Sequence, residues 1–206
     1  AHRNPKALTM TSPFILPDIA LNALPTGAVK TVVENLGTKI ANNEFSDGAT
    51  IPMESELIEM FGVSRPVIRE AIKVLSGKGM VRTARRYGSR VCAFDDWNLL
   101  DPDVIRWHGP TSPMSAKIYQ HSTQLRRIFE PEAAALAATN ASPAQRDRIL
   151  SASQMIQPTP HGIEAMIAAD YAFHATILAA SGNIMLGQLQ RLIQALLNFA
   201  YLTGSM

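Results

Sequence analysis

Apolar residues recur at helical spacing in the first part of the chain. Because these residues are spaced three or four positions apart, they predict an amphipathic helix. Its inward positions are Val29, Val32, Val33, Leu36 and Ile40. Turn-forming residues follow, and a second, short helix is predicted after Pro52. Its inward positions are Leu57, Ile58 and Phe61, and Gly62 can adopt the left-handed conformation that closes it.

The next segment predicts a helix with one apolar face and one cationic face. Its apolar face carries Val67, Ala71, Val74 and Leu75, flanked by Ile68 and Ile72. Its opposite face carries Arg65, Arg69 and Lys73, and Ser64 is a suitable N-cap. The pair of helices is typical of a helix-turn-helix, whose second helix enters the major groove of DNA. There arginine can donate two hydrogen bonds to guanine, and lysine can pair with phosphate. The alternative is a solvated cationic face without a partner.

Two short strand-like runs follow at residues 80–84 and 89–92, and a basic turn joins them. A basic hairpin in this place is a wing, which predicts a winged helix-turn-helix over residues 27–93. The turn residues that we expect to contact the minor groove or phosphate are Arg85, Arg86, Tyr87 and Gly88.

Charge supports a polyanion as the partner of this domain. From position 65 to position 91 there are eight basic residues and one acidic residue, so that the segment carries +7 while the whole chain carries +2. The basic residues are Arg65, Arg69, Lys73, Lys78, Arg82, Arg85, Arg86 and Arg90. Such a concentrated patch is the electrostatic footprint of nucleic acid binding.

The C-terminal half is predicted to be helical. Residues 94–112 form a linker with two tryptophans that partly packs, and residues 113–206 form a second, helical domain. Between residues 163 and 181, Asp170 and His174 interrupt an apolar stripe one helical turn apart. Because buried ionisable groups need partners, they are either a mutually satisfied pair in the core or two ligands of a divalent metal.

The N-terminal domain resembles the GntR family of bacterial transcription regulators. The motifs are Ile-Pro-Met-Glu-Ser-Glu-Leu at residues 51–57 and Phe-Gly-Val-Ser-Arg-Pro-Val-Ile-Arg-Glu-Ala at residues 61–71, followed by Leu75, Gly79 and Gly88. The resemblance implies that Arg65 and Arg69 contact bases and phosphates, that Ser64 contacts phosphate, and that the wing enters the minor groove. Two departures are Ser55, where the family often has arginine, and Met53, where it usually has a serine or threonine cap.

The C-terminal half is similar to the all-helical effector domain of the FadR subfamily, on the motifs at residues 126–134 and 170–174. The resemblance implies that residues 113–206 form an effector-binding and dimerisation domain. The resemblance implies that Asp170 and His174 hold zinc, nickel or manganese at the floor of a ligand cavity, with two more histidines from later helices. The chain stops at Met206, so we expect half of that site and an incomplete domain. Arg126 occupies a position where the family places a basic residue facing the cavity; the alternative is an ordinary salt bridge.

The expected function is a DNA-binding regulator, a repressor released by a small carboxylate. The linker at residues 97–107 is similar to that of relatives that respond to aldonates, which favours a sugar acid. A homodimer on a short palindromic operator is expected, because one recognition helix reads few bases. The rival functions are a metal-dependent hydrolase fused to a DNA-binding module and an architectural DNA-binding dimer. Against an enzyme, the chain has no zinc-protease motif, phosphate-binding loop or nucleophile elbow.

Composition sets the remaining expectations. The 206 residues suit two small domains, preceded by a flexible arm over residues 1–26. The single cysteine excludes an intramolecular disulfide and favours the cytoplasm. No membrane association is expected, because no apolar run reaches the ~20 residues that span a bilayer.

Overall fold

The computed structural model describes residues 24–84, 88–156 and 162–204, and it is mainly helical. The N-terminal part contains α1 (Gly27–Ala41), α2 (Glu54–Phe61) and α3 (Arg65–Gly77), then β1 (Val81–Ala84) and β2 (Gly88–Val91). The strands pair antiparallel, with Val81 opposite Val91 and Ala84 opposite Gly88. The predicted winged helix-turn-helix architecture is therefore confirmed.

The predicted apolar faces form the core of this part, with one change in α3. Ile68, Ala71, Ile72 and Leu75 are its buried residues, while Val67 and Val74 are half-buried. Ile68 therefore lies at the centre of the packed face, where the helical pattern had placed it at the edge. The reason is that α3 packs against both α1 and α2, so that its buried stripe is centred between them.

The turn between α2 and α3 forms as its residues predict. Gly62 ends α2 in the left-handed conformation, with φ of 62°. Met53 lacks the hydroxyl of a usual N-cap, but the Glu56 carboxylate accepts a hydrogen bond from its backbone N–H at 2.6 Å. Half of a capping box thus stabilises the start of α2.

Residues 94–112 form a packed layer beneath the winged domain. A 3-10 turn spans Phe94–Asp96, and α4 spans Pro102–Arg106. Trp97 and Trp107 are buried, and the indole of Trp107 lies directly over Gly37 of α1. One apolar cluster runs without interruption from α1 through this layer to Leu196 of the C-terminal part.

The C-terminal part is a helical bundle, as predicted. It contains α5 (Ser115–Asn140), α6 (Pro143–Met155), α7 (Ile163–Ala180), α8 (Ile184–Gln188) and α9 (Gln190–Leu202). α5 continues through Pro131, and Leu189 separates α8 from α9. α7 packs against α5, α6 and α9.

Helix α7 is also, within the described part of the chain, the one helix that is long and apolar enough to span a bilayer. It has 18 residues and a mean hydropathy of 1.2, and 44% of it is buried inside the protein. A core helix meets the same criteria, so this is weak evidence for a membrane.

Candidate DNA-binding surface and effector pocket

The outer face of α3 presents the predicted DNA-binding side chains to solvent. The side chains of Arg65, Arg69 and Lys73 are 59%, 60% and 75% exposed. Ser64 is exposed at the N-cap position, and its hydroxyl makes no capping hydrogen bond with the described residues. A helix that is packed on one side and cationic on the other has the form required for the major groove.

A carboxylate of α2 lies against this cationic face. Glu54 accepts a hydrogen bond from Arg69 Nε, which lies 3.1 Å from both of its oxygens. Arg65 Nη1 lies 3.9 Å from Glu54 Oε2. Lys73 is held more loosely, 3.4 Å from Glu70 on its own helix. The contact of Glu54 with the arginines was not predicted from the sequence, because it depends on the angle between α2 and α3.

Lys78 does not belong to the DNA-facing patch in which the charge count placed it. Lys78 is 6% exposed, and its ammonium group lies 2.7 Å from Asp101 Oδ2 and 3.0 Å from Asp103 Oδ2. Burial alone would raise the pKa of Asp103, but hydrogen bonds from Arg106 and Lys78 outweigh it and lower that pKa. This charge therefore holds the end of α3 to the layer that contains α4.

Only the two strands of the wing lie within the described residues. Arg85, Arg86 and Tyr87 lie outside the described residues, so their predicted DNA contacts remain predictions. Gly88 opens β2 with φ of +75°, a conformation that side chains rarely adopt. Arg82 is exposed on β1, whereas half-buried Arg90 donates to the carbonyl of Gly48 at 3.1 Å.

A second group of polar side chains lies between α5, α7 and α9. Asp170 is buried and His174 is half-buried, and Asp170 Oδ1 lies 3.3 Å from His174 Nε2. Arg126 donates from Nε to Glu130 Oε1 at 2.7 Å, and its Nη2 lies 3.3 Å from His174 Nε2. The expected Asp170–His174 contact is therefore present, within a larger network.

Tyr201 completes this network from α9. Burial and the neighbouring Asp170 carboxylate raise the pKa of Tyr201 to about 12. The phenol is therefore protonated at neutral pH and donates to Asp170 Oδ2 at 3.3 Å. Neither Tyr201 nor Glu130 was predicted as a site residue, although the spacing of Glu130 four residues after Arg126 is a usable signal.

A cavity of about 360 Å³ lies beside the network. Arg126 and Glu130 belong to its wall, and His174 contacts both of these side chains. Asp170 contacts His174 and is not part of the lining. Arg126 forms an i,i+4 ion pair with Glu130 and also lines this cavity, and its role in effector binding stays a prediction. The full lining is Tyr119, Thr123, Arg126, Arg127, Glu130, Pro131 and Ala200.

In the described part of the chain, these side chains do not form a complete metal site. Asp170 approaches Nε2 of His174, but Glu130 approaches Nδ1 at 3.5 Å, so the two carboxylates lie at opposite nitrogens. The Arg126 guanidinium lies 3.3 Å from the same Nε2. Across residues 24–84, 88–156 and 162–204, no three His, Cys, Asp or Glu side chains are grouped to hold a metal. Zinc, nickel or manganese on Asp170 and His174 stays a prediction without support from this geometry.

Two family matches cover most of the chain. Residues 28–91 match "Bacterial regulatory proteins, gntR family", and residues 121–205 match the "FCD domain". The first match coincides with the winged domain, and the second with the helical bundle that contains Arg126, Asp170 and His174.

Curated relatives match both parts together. An uncharacterized HTH-type transcriptional regulator of Escherichia coli K12, YieP, is 35% identical over 74% of this chain and 66% of its own length. The galactonate operon transcriptional repressor of the same strain is 30% identical over 80% of this chain and 72% of its own. The repressor NanR of Citrobacter rodentium is 30% identical, and the chain spans 58% of it.

Solved structures show distant likenesses. A GntR protein of Streptococcus agalactiae is 21% identical with a TM-score of 0.40, over 86% of this chain and 85% of its own. Lar, which controls the expression of the Listeria monocytogenes agr system, is 18% identical with a TM-score of 0.47. The match covers 86% of this chain and 73% of the Lar chain.

Proposed function

The chain belongs to the GntR family of bacterial regulatory proteins, and from this premise we propose that it is a transcriptional repressor released by a small carboxylate. Its relatives are transcription regulators, and two of the three described above are named as repressors. It acts in the cytoplasm, on double-stranded DNA, as a homodimer that binds a short palindromic operator.

The outer face of α3 is the observation that carries the DNA-binding proposal. Arg65 and Arg69 are exposed one helical turn apart, with apolar residues behind them that anchor the helix. Arginine at this spacing can donate two hydrogen bonds to guanine while lysine and serine contact phosphate. Lys73 and Ser64 flank the arginines on the same exposed surface.

The cavity beside Arg126 supports a carboxylate as the effector. A guanidinium at a cavity wall offers paired donors to a carboxylate. The polar neighbours Thr123 and Tyr119 suit a ligand that also carries hydroxyl groups, as a sugar acid does. The relative that is named for the galactonate operon supports the same class of effector.

The repressor is released from its operator if the effector binds the arrangement of the domains that does not fit DNA more tightly than the arrangement that does. Arg126 is engaged with Glu130, so an incoming carboxylate competes for the guanidinium. The same arginine contacts His174 of α7. Ligand binding is therefore expected to shift α5 relative to α7.

The test selects operator sequences from a randomised duplex library, then measures affinity with and without a panel of sugar acids, hydroxy acids and fatty acyl compounds. We expect Arg65→Ala and Arg69→Ala each to lose about 1–3 kcal/mol of discrimination, the contribution of one bidentate arginine–guanine pair. An aldonate should weaken operator binding and raise the melting temperature. Unchanged selectivity in both variants would contradict DNA recognition by α3, whereas a response to fatty acyl compounds alone would contradict only the effector class.

A further inference from the structure

Glu54 is an acidic side chain of α2 that contacts the arginines on the cationic face of α3. It lies in the first turn of α2, is 34% exposed, and accepts a hydrogen bond from Arg69 Nε at 3.1 Å to each oxygen. The pair joins the two helices of the helix-turn-helix. As a contribution to stability, such a partly exposed ion pair is worth little.

The contact leaves a defined part of Arg69 available. Among the described residues, the terminal Nη1 and Nη2 groups of Arg69 donate no hydrogen bond. A guanidinium is planar, so fixing its Nε–H also fixes the plane and direction of the terminal nitrogens. Those nitrogens are the donors with which an arginine pairs with O6 and N7 of guanine.

We propose that Glu54 is a positioning residue that makes Arg69 specific for guanine; this rests on the proposed DNA binding by α3. An unrestrained arginine can swing to a phosphate, which carries no sequence information. An arginine held by a carboxylate has already lost that freedom before it meets DNA, so that little further ordering is needed at a guanine. The negative charge of Glu54 also weakens attraction to the phosphates, which lowers binding to every sequence alike.

Arg65 provides an internal comparison. Its Nη1 lies 3.9 Å from Glu54 Oε2, too far for a hydrogen bond, so Glu54 attracts this side chain without orienting it. Loss of Glu54 should therefore change the base preference due to Arg69 more than the preference due to Arg65.

The experiment compares variants by selection from one randomised duplex library. Arg69→Ala identifies the operator position that Arg69 reads. Glu54→Gln, which keeps the shape and removes the charge, should reduce the guanine preference at that same position by roughly ten-fold, toward the low end of what one arginine–guanine pair supplies. Preferences at the other positions should persist, and affinity for a scrambled duplex should rise.

Two further variants separate positioning from charge. Glu59→Gln removes the same charge from α2 at an exposed residue that makes no ion pair with the described residues, so it should select like the parent protein. Glu54→Asp keeps the charge but shortens the side chain, so it should lose discrimination as Glu54→Gln does. Circular dichroism confirms that each variant keeps its helices.

The outcomes distinguish the role proposed for Glu54 from the DNA recognition by α3 on which that role rests. A parent protein that selects no sequence contradicts DNA recognition and the role of Glu54 together. A selective parent with an equally selective Glu54→Gln variant contradicts the role of Glu54 alone. Equal tightening of all sequences by Glu54→Gln and Glu59→Gln would show that Glu54 acts only through its charge, and would also overturn the proposal.

Discussion

Gly37 lies in the middle of α1, where a side chain would meet the buried indole of Trp107. A Cβ at this position would lie 2.5 Å from Cε3 of that ring and 2.7 Å from two more of its atoms. Replacement of a helical glycine by alanine normally stabilises a helix by about 1 kcal/mol. Forcing an added carbon into a packed core costs about 1–3 kcal/mol, and Trp107 is only 4% exposed and has little space to move.

We therefore predict that Gly37→Ala destabilises the protein, with the steric cost exceeding the gain in helix propensity. Urea or thermal unfolding measures the effect. Gly77→Ala is the matched control, because Gly77 also lies in a helix but a Cβ there would meet nothing within 4 Å. The control should be neutral or slightly stabilising, and a stabilised Gly37→Ala protein would show that Trp107 is loosely packed.

At the scale of elements, an ion pair joins the end of α3 to α4. Lys78, the C-cap residue of α3, contacts Asp101 and Asp103 in a buried setting, and its ammonium lies 5.6 Å from the ring centroid of Trp107. Removing one partner of a buried pair leaves an uncompensated charge and typically costs about 3–5 kcal/mol. Helix α3 is thus anchored at the end opposite to Arg65.

This pair predicts a pH dependence of stability. The pKa of Asp103 is lowered in the folded protein. Its contribution to the free energy of unfolding is therefore fully present above the pKa of an unfolded aspartate, ~3.9, and is lost as the pH falls through the lower pKa of the folded protein. Asp103→Asn should destabilise the protein at neutral pH and flatten its acid unfolding curve. Asp95→Asn, which removes the exposed partner of Lys117, should have a much smaller effect. Equal losses in the two variants would contradict a special role for the buried pair.

At the scale of the whole molecule, one apolar core links the winged domain and the helical bundle. The cluster that contains Leu36 and Ile68 also contains Trp107, Leu192 and Phe199. α4 packs directly on α9, the helix that carries Tyr201 of the polar network. A displacement in the helical bundle can therefore reach the winged domain through packed side chains, without an extended linker that would absorb it.

We predict that the protein binds its operator as a dimer. One winged domain contacts too few base pairs for selective binding, and two-fold pairing doubles the contacts and imposes an inverted repeat on the site. Light scattering of the protein with its selected duplex should give two chains per duplex, and a half-site duplex should bind much more weakly. One chain per duplex with undiminished half-site affinity would refute the prediction.

The local structure followed from the sequence because helix periodicity, capping and turn chemistry depend on near neighbours. The α1 face, the left-handed Gly62 and the hairpin after Gly79 were all predicted from spacings of a few residues. The exposed arginines of α3 followed for the same reason, since a helix that buries one face must present the other.

Only the tertiary structure decided which charges meet. Lys78 was counted with the DNA-facing charges, but Asp101 and Asp103, more than twenty residues later in the chain, hold it in the interior. Glu54 lies fifteen residues before Arg69, and Tyr201 lies thirty-one residues after Asp170. Such pairings depend on how helices cross and on the low dielectric of the packed interior, which a linear pattern of residue types does not contain.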